Sequence, residues 1–296
     1  MRILVVANQK GGVAKTTTAV NLSAFIGAMG KRVLLIDLDP QANATSGIGL
    51  NKEEVQKSIY DAIIGNEPIE SVISQSPTAN VWVAPANLAL VGAEVELVNS
   101  ERREHRLADS ISEIISKNEY DFVLIDTPPS LGLLTLNAFT AAHSVLIPMQ
   151  CEYYALEGLA QLYKTIQLVR QKTNSGLHIE GLVFSMVDQR ANLTLQVMQE
   201  VRNILKDKVY ETVIPRNVRL AEAPSFGKSI LAYDKHSKGA EAYEKLAIEF
   251  LARSEKASSP LVGEDKGGGT STEANPPSQP SPTKGEGEVP QEVPVS

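Results

Sequence analysis

The 296-residue chain carries 28 basic and 35 acidic side chains, a net charge of −7, and 43% hydrophobic residues. These proportions are typical of an ordinary globular protein of one or two domains and argue against a generic nucleic-acid binder. The sequence has no apolar run near 18 residues and shows no leader pattern. It holds one cysteine, too few for a disulfide or a four-thiolate cluster. We therefore expect a cytoplasmic protein without a membrane span.

Apolar runs alternate with helical patterns as far as residue 253. Continuous apolar strands separated by helices indicate an α/β fold, a doubly wound, mostly parallel sheet with helices on both faces. Ligands of such sheets bind at the carboxyl ends of the strands. The strand candidates are 2–7, 33–37, 81–84, 121–126, 144–148, 180–186 and 209–213. The helical stretches are 16–29, near 54–64, 88–118, 131–141, 156–173, 192–206 and 238–253.

The composition changes after residue 253. Seven of the sixteen prolines and six of the twenty glycines lie beyond it, mixed with serine and glutamate. Such a segment buries too little apolar surface to offset the entropy of ordering it. We therefore predict one folded domain over 1–253 and a disordered tail over 254–296.

One segment has the pattern of a phosphate-binding loop. The first strand runs into Asn8-Gln-Lys-Gly-Gly-Val-Ala-Lys-Thr-Thr-Thr18, which opens the helical stretch 16–29. Turn amides and a helix N-terminus then converge on one point, where the helix dipole favours an anion. Lys15 is placed to reach the β- and γ-phosphates, and the Thr16 hydroxyl to ligate Mg²⁺. The alternative is an ordinary glycine-containing turn in which Lys15 occurs by chance and binds no phosphate.

This loop departs from the common P-loop pattern in three ways. A second lysine, Lys10, has no role in an ordinary P-loop, and Gln9 stands where the first glycine is usual. Ala14 stands where a glycine normally precedes the lysine. If that position requires a positive φ, alanine costs roughly 1 kcal/mol or more of strain.

Three aspartates end strand candidates near this loop. Asp37 and Asp39 follow the run at 33–36, and Asp126 closes the run at 122–125. Asp126 suits a Walker-B role in holding Mg²⁺, and Asp37 suits a supporting place in the metal shell. Asp39 suits the orientation of a water that attacks the γ-phosphate, because phosphoryl transfer depends mainly on positioning and charge stabilisation. Each aspartate alone could equally be a turn or helix-cap residue.

Four motifs in order resemble the chromosome and plasmid partition ATPases of the ParA/Soj type, which carry the deviant Walker A loop K-G-G-x-G-K-[ST]-T. The likeness covers about residues 1–253, and Ala14 is its main departure. The four motifs are Lys10-Gly-Gly-Val-Ala-Lys-Thr-Thr-Thr18, Asp37-Leu-Asp-Pro-Gln-Ala-Asn-Ala-Thr45, Leu124-Ile-Asp-Thr-Pro-Pro-Ser130 and Ile214-Pro-Arg-Asn-Val-Arg-Leu-Ala-Glu-Ala-Pro-Ser225.

The resemblance implies an ATPase that uses ATP and Mg²⁺ and forms a homodimer around two nucleotides. Lys10 would cross to the partner's phosphates, Gly11 would lie at a tight interface, and Asp39 would serve hydrolysis, which is slow without a partner. The nucleotide-binding residues would be Lys10, Gly11, Gly12, Val13, Ala14, Lys15, Thr16 and Thr17 around the phosphates, with Met186, Asp188, Pro215, Arg216 and Asn217 around the adenine.

The resemblance also implies that the ATP dimer binds DNA without sequence preference, which would place the protein on the nucleoid. The implied protein partner is a ParB/Spo0J-type centromere-binding protein whose basic N-terminal segment stimulates hydrolysis. A solvated basic face is the alternative reading of the lysines. The residues matching the family's basic positions are Arg190, Arg216, Arg219, Lys228, Lys235 and Lys238.

Two other functional classes share this scaffold. A MinD-like, membrane-associated regulator of cell division would carry a C-terminal amphipathic helix, whereas this chain ends in prolines and acids. A metabolic or electron-transfer enzyme would need bridging cysteines or a substrate pocket that the sequence does not reveal. A fourth possibility is a binding protein that hydrolyses ATP poorly because of Ala14.

Overall fold

The computed structural model describes residues 1–152, 155–188 and 190–258. It contains eight strands and twelve α-helices within those ranges. The strands are β1 (Arg2–Val6), β2 (Val33–Asp37), β3 (Ser74–Gln75), β4 (Val81–Ala84), β5 (Phe122–Asp126), β6 (Ser144–Met149), β7 (His178–Val187) and β8 (Val209–Pro215). The helices are α1 (Lys15–Ala28), α2 (Asn43–Gly47), α3 (Ile59–Ile63), α4 (Leu90–Glu96), α5 (Arg106–Ser110), α6 (Ser112–Lys117), α7 (Leu133–Ala141), α8 (Ala155–Lys172), α9 (Asn192–Leu205), α10 (Val218–Glu222), α11 (Ile230–Tyr233) and α12 (Lys238–Ser258).

All eight strands form one sheet in the order β3-β4-β2-β5-β1-β6-β7-β8. Every neighbouring pair is parallel except β3 with β4. β1 lies between β5 and β6, so the loop that follows it opens near the middle of the carboxyl edge. The register pairs Val6 with Asp126 and Asp126 with Asp37, which brings three strand ends to one level.

Helices cover both faces of the sheet, which confirms the predicted doubly wound α/β fold. One core joins alternate strand residues to α1, α10, α11 and α12, through side chains such as Phe25 and Tyr243. The other joins the remaining strand residues to α3 to α9, through side chains such as Phe139 and Ile166. The central strands are buried on both faces, which explains their continuous apolar sequences.

Several predicted bounds were wrong. The expected helix over 88–118 is broken, because Ser100 is extended and Arg102 has a φ of +52° between α4 and α5. Strand β3 and helices α2, α10 and α11 were missed, since elements of two to five residues give too short a periodic signal. Helix α12 continues to Ser258, past the expected boundary at 253, and Ser254 is buried. Residues 259–296 of the predicted tail lie outside the described residues.

None of the helices in the described part of the chain is long and apolar enough to cross a membrane.

Candidate nucleotide site

The loop between β1 and α1 is held in place by side chains from neighbouring strands. Asn8 donates to the carbonyl of Pro148 at 2.8 Å and accepts from the amide of Lys10 at 3.0 Å. The Ser185 hydroxyl, on β7, donates to the carbonyl of Val13 at 2.9 Å. The loop is therefore anchored to β6 and β7 at both ends before any phosphate binds. Sequence reasoning assigned no role to Asn8 or Ser185, because both contacts are long-range.

Lys15 lies inside this loop. Its ammonium donates to the carbonyl of Lys10 at 3.2 Å, and the residue is only 7% exposed. Burial lowers the pKa of Lys15, while the nearby carboxylates of Asp126 and Asp39 oppose that shift. The first turn of α1 also carries Thr16 and Thr17. Lys15, Thr16 and Thr17 thus lie in the first turn of α1, at the end of a helix that favours an anion.

Ala14 adopts the left-handed conformation that the glycine consensus suggested, with φ +68° and ψ +32° at the N-cap of α1. Gly12 also has a positive φ, +73°, in the same loop. An L-residue with a Cβ is strained in this region, and glycine is not. The chain therefore stores strain at the residue directly before Lys15.

We expect Ala14→Gly to raise the free energy of unfolding by about 1 kcal/mol, since it removes the Cβ penalty. For a domain of this size that is a rise in Tm of roughly 2–4 °C. Thermal unfolding monitored by circular dichroism measures it. The matched control is Ala28→Gly, at an exposed position in the last turn of α1, where glycine should lower Tm. An Ala14→Gly protein that melts at or below the wild-type temperature would contradict the strain.

Lys10 lies at the mouth of the loop, and its ammonium forms an ion pair with the Glu152 carboxylate. Both side chains are about half exposed, at 43% and 55%. The Lys10 ammonium is therefore held by an acid of its own chain on the exposed rim of the loop, whereas Lys15 is buried. A Cβ added at the neighbouring Gly11 would make only ordinary contact with Pro129, at 3.9 Å. Among the residues that the structure describes, nothing around Gly11 requires glycine.

Asp37 is completely buried at the end of β2 and accepts three hydrogen bonds. Its donors are the Thr45 amide and hydroxyl, both at 2.8 Å, and the Asp39 amide at 3.1 Å. Burial raises the pKa of Asp37 to about 6, against the lowering effect of these donors. The Thr45 hydroxyl also accepts from the amide of Ala86 at 2.9 Å. Thr45 was missed as a supporting residue because it lies in the short helix α2.

Asp126 is also completely buried, but neither of its carboxylate oxygens has a hydrogen-bond partner among the described residues. Burial, and next the charge of Asp37, raise the pKa of Asp126 well above its usual range; the Thr16 hydroxyl and Lys15 oppose that rise. A buried carboxylate without partners is costly unless a cation compensates it.

These residues fit a magnesium site. Mg²⁺ is usually held by one or two carboxylates, phosphates and waters rather than by a cage of protein ligands. The unpartnered Asp126 and the hydroxyl of Thr16 would hold the ion, with Asp37 behind them. When bound, Mg²⁺ neutralises charge that develops on the phosphate oxygens during transfer.

Asp39 lies two residues beyond Asp37 and is 8% exposed. Its carboxylate accepts from the amide of Gln41 at 2.9 Å, which fixes the side chain at the edge of the site. Its charge reaches both Lys15 and Asp126. The position suits the predicted role in orienting a water, which remains a prediction.

A cavity of about 430 Å³ lies beside the phosphate loop. This volume is within the range of small-molecule sites. The cavity brings together four of the five residues predicted to surround the adenine. Asn217 caps α10 by accepting from the amide of Leu220 at 3.2 Å, so its NH₂ group is left to donate. The lining includes Ala14, Thr17, Met186, Pro215, Arg216 and Asn217, with Ile214, Val218, Leu220, Ala221 and Tyr243, which the sequence did not single out.

Asp188 is the fifth predicted adenine residue, and it does not line that cavity. Its carboxylate accepts from the amide of Arg190 at 3.1 Å and so shapes the turn after β7. Met186, in contrast, lies in the cavity with a φ of +51°, at a register shift where β7 pairs with β8. A non-glycine residue in that conformation within a strand is a feature of functional sites.

The six basic residues predicted to bind DNA are all exposed, and they lie in the helices and turns that follow β7 and β8. Arg219 is not free: its guanidinium pairs with Glu222 at 3.0 Å and with Asp234 at 3.6 Å. Lys228 borders a smaller cavity of about 250 Å³ beside Thr16 and Thr17. Lys228 is therefore closer to the phosphate loop than the sequence suggested. The others are Arg190, Arg216, Lys235 and Lys238.

Comparison with known proteins identifies the family of this site. Residues 1–179 match the AAA domain family. The chain is 53% identical over 251 residues to sporulation initiation inhibitor protein Soj of Bacillus subtilis, covering 85% of this chain and 98% of that protein. It is 52% identical over 252 residues to chromosome partitioning protein ParA of Myxococcus xanthus, covering 85% and 88%.

A solved structure with bound nucleotide has the same fold. It is cobyrinic acid a,c-diamide synthase from Mycobacterium smegmatis with bound ADP and magnesium, 35% identical, with a TM-score of 0.75 over 87% of this chain and 96% of that one. The identity to the partition proteins is higher, and each of these matches covers 85% of this chain. The chain is an ATPase and belongs to the ParA/Soj family of chromosome-partitioning ATPases.

Proposed function

We propose that this protein acts in chromosome or plasmid segregation as an ATP-switched DNA-binding protein. ATP and Mg²⁺ bind at the loop between β1 and α1, two chains dimerise around the nucleotides, and the dimer binds DNA without sequence preference. Hydrolysis returns the protein to monomers and releases the DNA. The names of the relatives support the role in partition.

The observation that carries this proposal is that the two lysines of the loop differ in burial and in what holds them. Lys15 is buried in its own loop, where one cation serves one triphosphate. Lys10 is half exposed on the rim and is held only by an exposed ion pair, of the kind that contributes about 0–1 kcal/mol. A cation held so weakly can leave for a partner's triphosphate, which carries far more negative charge than one carboxylate.

Asp39, Lys15 and Asp126 account for the hydrolysis of ATP. Asp39 orients a water toward the γ-phosphate, Lys15 neutralises charge on the β- and γ-phosphates, and Asp126 holds the metal. The predicted partner is a ParB/Spo0J-type protein that raises the slow intrinsic rate. Rapid hydrolysis by the isolated protein, near the enzyme median of about 10 s⁻¹, would contradict the dependence on a partner.

DNA binding is tested by fluorescence anisotropy with a random-sequence duplex. We expect binding with a non-hydrolysable ATP analogue and Mg²⁺, and little binding with ADP. Each lost phosphate contact reduces the slope of log K against log salt by about 0.9, so Arg219→Ala should reduce it by roughly twice that in a dimer. Arg170→Ala is the matched control, because Arg170 is exposed on α8, which packs on the other face of the sheet.

Equal and negligible DNA binding in all nucleotide states would remove the DNA-binding function. The MinD-like alternative makes the opposite prediction, that the ATP form pellets with anionic liposomes. If the protein pellets with liposomes and ignores DNA, the cell-division regulator becomes the better description.

A further inference from the structure

Arg219 is held by two acidic side chains of its own chain. Its guanidinium is 55% exposed, and it pairs with Glu222 at 3.0 Å through Nη1 and with Asp234 at 3.6 Å through Nε. Among the described residues, none of the other five cations predicted to bind DNA pairs with an acid in this way. To contact a DNA phosphate, Arg219 would have to exchange these carboxylates for it. We call Glu222 and Asp234 the Arg219 clamp.

The Glu222 half of the clamp is positioned by a second donor. The Tyr233 hydroxyl donates to the same carboxylate oxygen that Arg219 contacts, at 3.1 Å. The Tyr233 ring stacks on the Phe226 ring, with 5.1 Å between centroids and 27° between planes. An ion pair on a surface is usually weakened by the entropy of ordering its side chains. Here that cost is reduced, because the tyrosine already fixes the carboxylate.

The Asp234 half of the clamp is positioned by α11. The amide of Asp234 donates to the carbonyl of Ile230 at 2.9 Å. The amide of Ile230 donates to the side chain of Asn21 at 2.7 Å, and the Asn21 NH₂ group donates to the carbonyl of Thr17 at 2.7 Å. Asn21 is buried on α1, at 4% exposure. The clamp is therefore anchored to the helix that begins at the phosphate loop.

We propose that the Arg219 clamp competes with DNA for the guanidinium of Arg219 and so lowers the affinity of the protein for DNA. This rests on the proposed function, because it assigns a cost to the DNA contact of Arg219. Carboxylate and phosphate oxygens accept from the same planar set of N–H donors. Each subunit that places Arg219 on a phosphate must therefore break its own clamp.

The clamp makes one subunit by itself a weak DNA binder. An exposed ion pair changes an equilibrium by up to about fivefold, and a single chain must give up its pairs before it gains a phosphate contact. A dimer carries two clamps, and it gains from binding both subunits to one duplex. Removing the clamp should therefore strengthen DNA binding once in a monomer and twice in a dimer.

The test is the double variant Glu222→Gln and Asp234→Asn, measured by fluorescence anisotropy with a random-sequence duplex at low salt. We expect the DNA Kd to fall about threefold with ADP, and about tenfold with a non-hydrolysable ATP analogue and Mg²⁺. Binding of a fluorescent nucleotide should not change. The matched control is Glu241→Gln with Glu244→Gln, which removes the same two charges from exposed positions on α12.

The substituted side chains keep a carbonyl oxygen for the Tyr233 hydroxyl and for the amide of His236. The double variant should therefore melt within a few degrees of the wild type, and each single substitution should give part of the shift. In an Arg219→Ala background, the double substitution should change DNA affinity no more than the α12 control does, because the clamp acts only through Arg219.

Two results would overturn the clamp and leave the proposed function intact. One is an unchanged DNA Kd for the double variant while Arg219→Ala weakens binding. The other is a full gain in affinity in the Arg219→Ala background, since net charge rather than the clamp would then set the affinity. A wild-type protein that fails to bind DNA in every nucleotide state would overturn the clamp and the proposed function together.

Discussion

Replacing Lys10 with alanine is expected to abolish ATP-dependent dimerisation while the monomer still binds nucleotide. Lys15 remains in place in the phosphate loop, and only the cation on the rim is lost. Two triphosphates facing each other carry several negative charges within a few ångströms. At an effective dielectric constant near 20, a unit charge pair at 4 Å is worth about 4 kcal/mol. Losing two such cations per dimer should weaken association by more than a hundredfold.

Glu152→Gln is the matched control for Lys10→Ala. It breaks the same ion pair but leaves the lysine free to cross the interface. Because an exposed pair contributes about 0–1 kcal/mol, its removal should leave dimerisation unchanged or strengthen it a few-fold. Sedimentation velocity and single-turnover hydrolysis with both variants measure the two effects. If both variants dimerise equally, Lys10 serves only its own chain and the proposed switch is wrong.

The proximity of the strand ends at Asp37 and Asp126 followed from the sequence because parallel strands end at the same edge of a sheet. Asp37, Asp39 and Asp126 each closed an apolar run, and β2, β5 and β1 are neighbours in the sheet with those ends in register. The conformation of Ala14 also followed, because a glycine in the consensus marks a position with positive φ. Each of these signals comes from residues that are neighbours in the sequence, so it can be interpreted before the fold is known.

The features that escaped prediction depend on contacts between distant parts of the chain. The partner of Lys10 is 142 residues away, and the Ser185 hydroxyl that holds the loop is 172 residues from Val13. No spacing rule links such pairs. The ion pair of Arg219 with Asp234 was missed for a related reason, since Asp234 comes near only through the packing of α10 on α11. Periodicity likewise could not separate the buried from the exposed apolar residues of α4.

A second large effect is expected from Asp126→Asn, in opposite directions for stability and activity. Asp126 is a buried carboxylate with no hydrogen bond of ordinary geometry among the described residues; the Thr16 hydroxyl and Lys15 lie near it, and Asp37 and Asp39 add like charge. Without Mg²⁺, asparagine removes a buried charge at nearly constant volume, so the free energy of unfolding should rise by about 1–3 kcal/mol. In this variant Lys15 still has the Asp39 carboxylate as a neighbouring opposite charge. ATP hydrolysis should fall by roughly two orders of magnitude, since metal charge stabilisation contributes several kcal/mol.

The stability difference between Asp126→Asn and the wild type should depend on pH, and the raised pKa of Asp126 sets the sign of that dependence. A carboxyl group whose folded pKa is raised binds more protons in the folded than in the unfolded state, so its contribution to stability is present at low pH and is lost as pH rises. The stability gain of Asp126→Asn over the wild type should therefore be small near pH 4 and grow as pH rises above it. Asp37→Asn is the control: Asp37 accepts three hydrogen bonds, and an amide NH₂ facing those donors should lower Tm. Thermal melts of the metal-free proteins from pH 4 to 8 measure both. If Asp126→Asn destabilises the protein as much as Asp37→Asn, the Asp126 carboxylate already has a compensating partner and is not the group that awaits the metal.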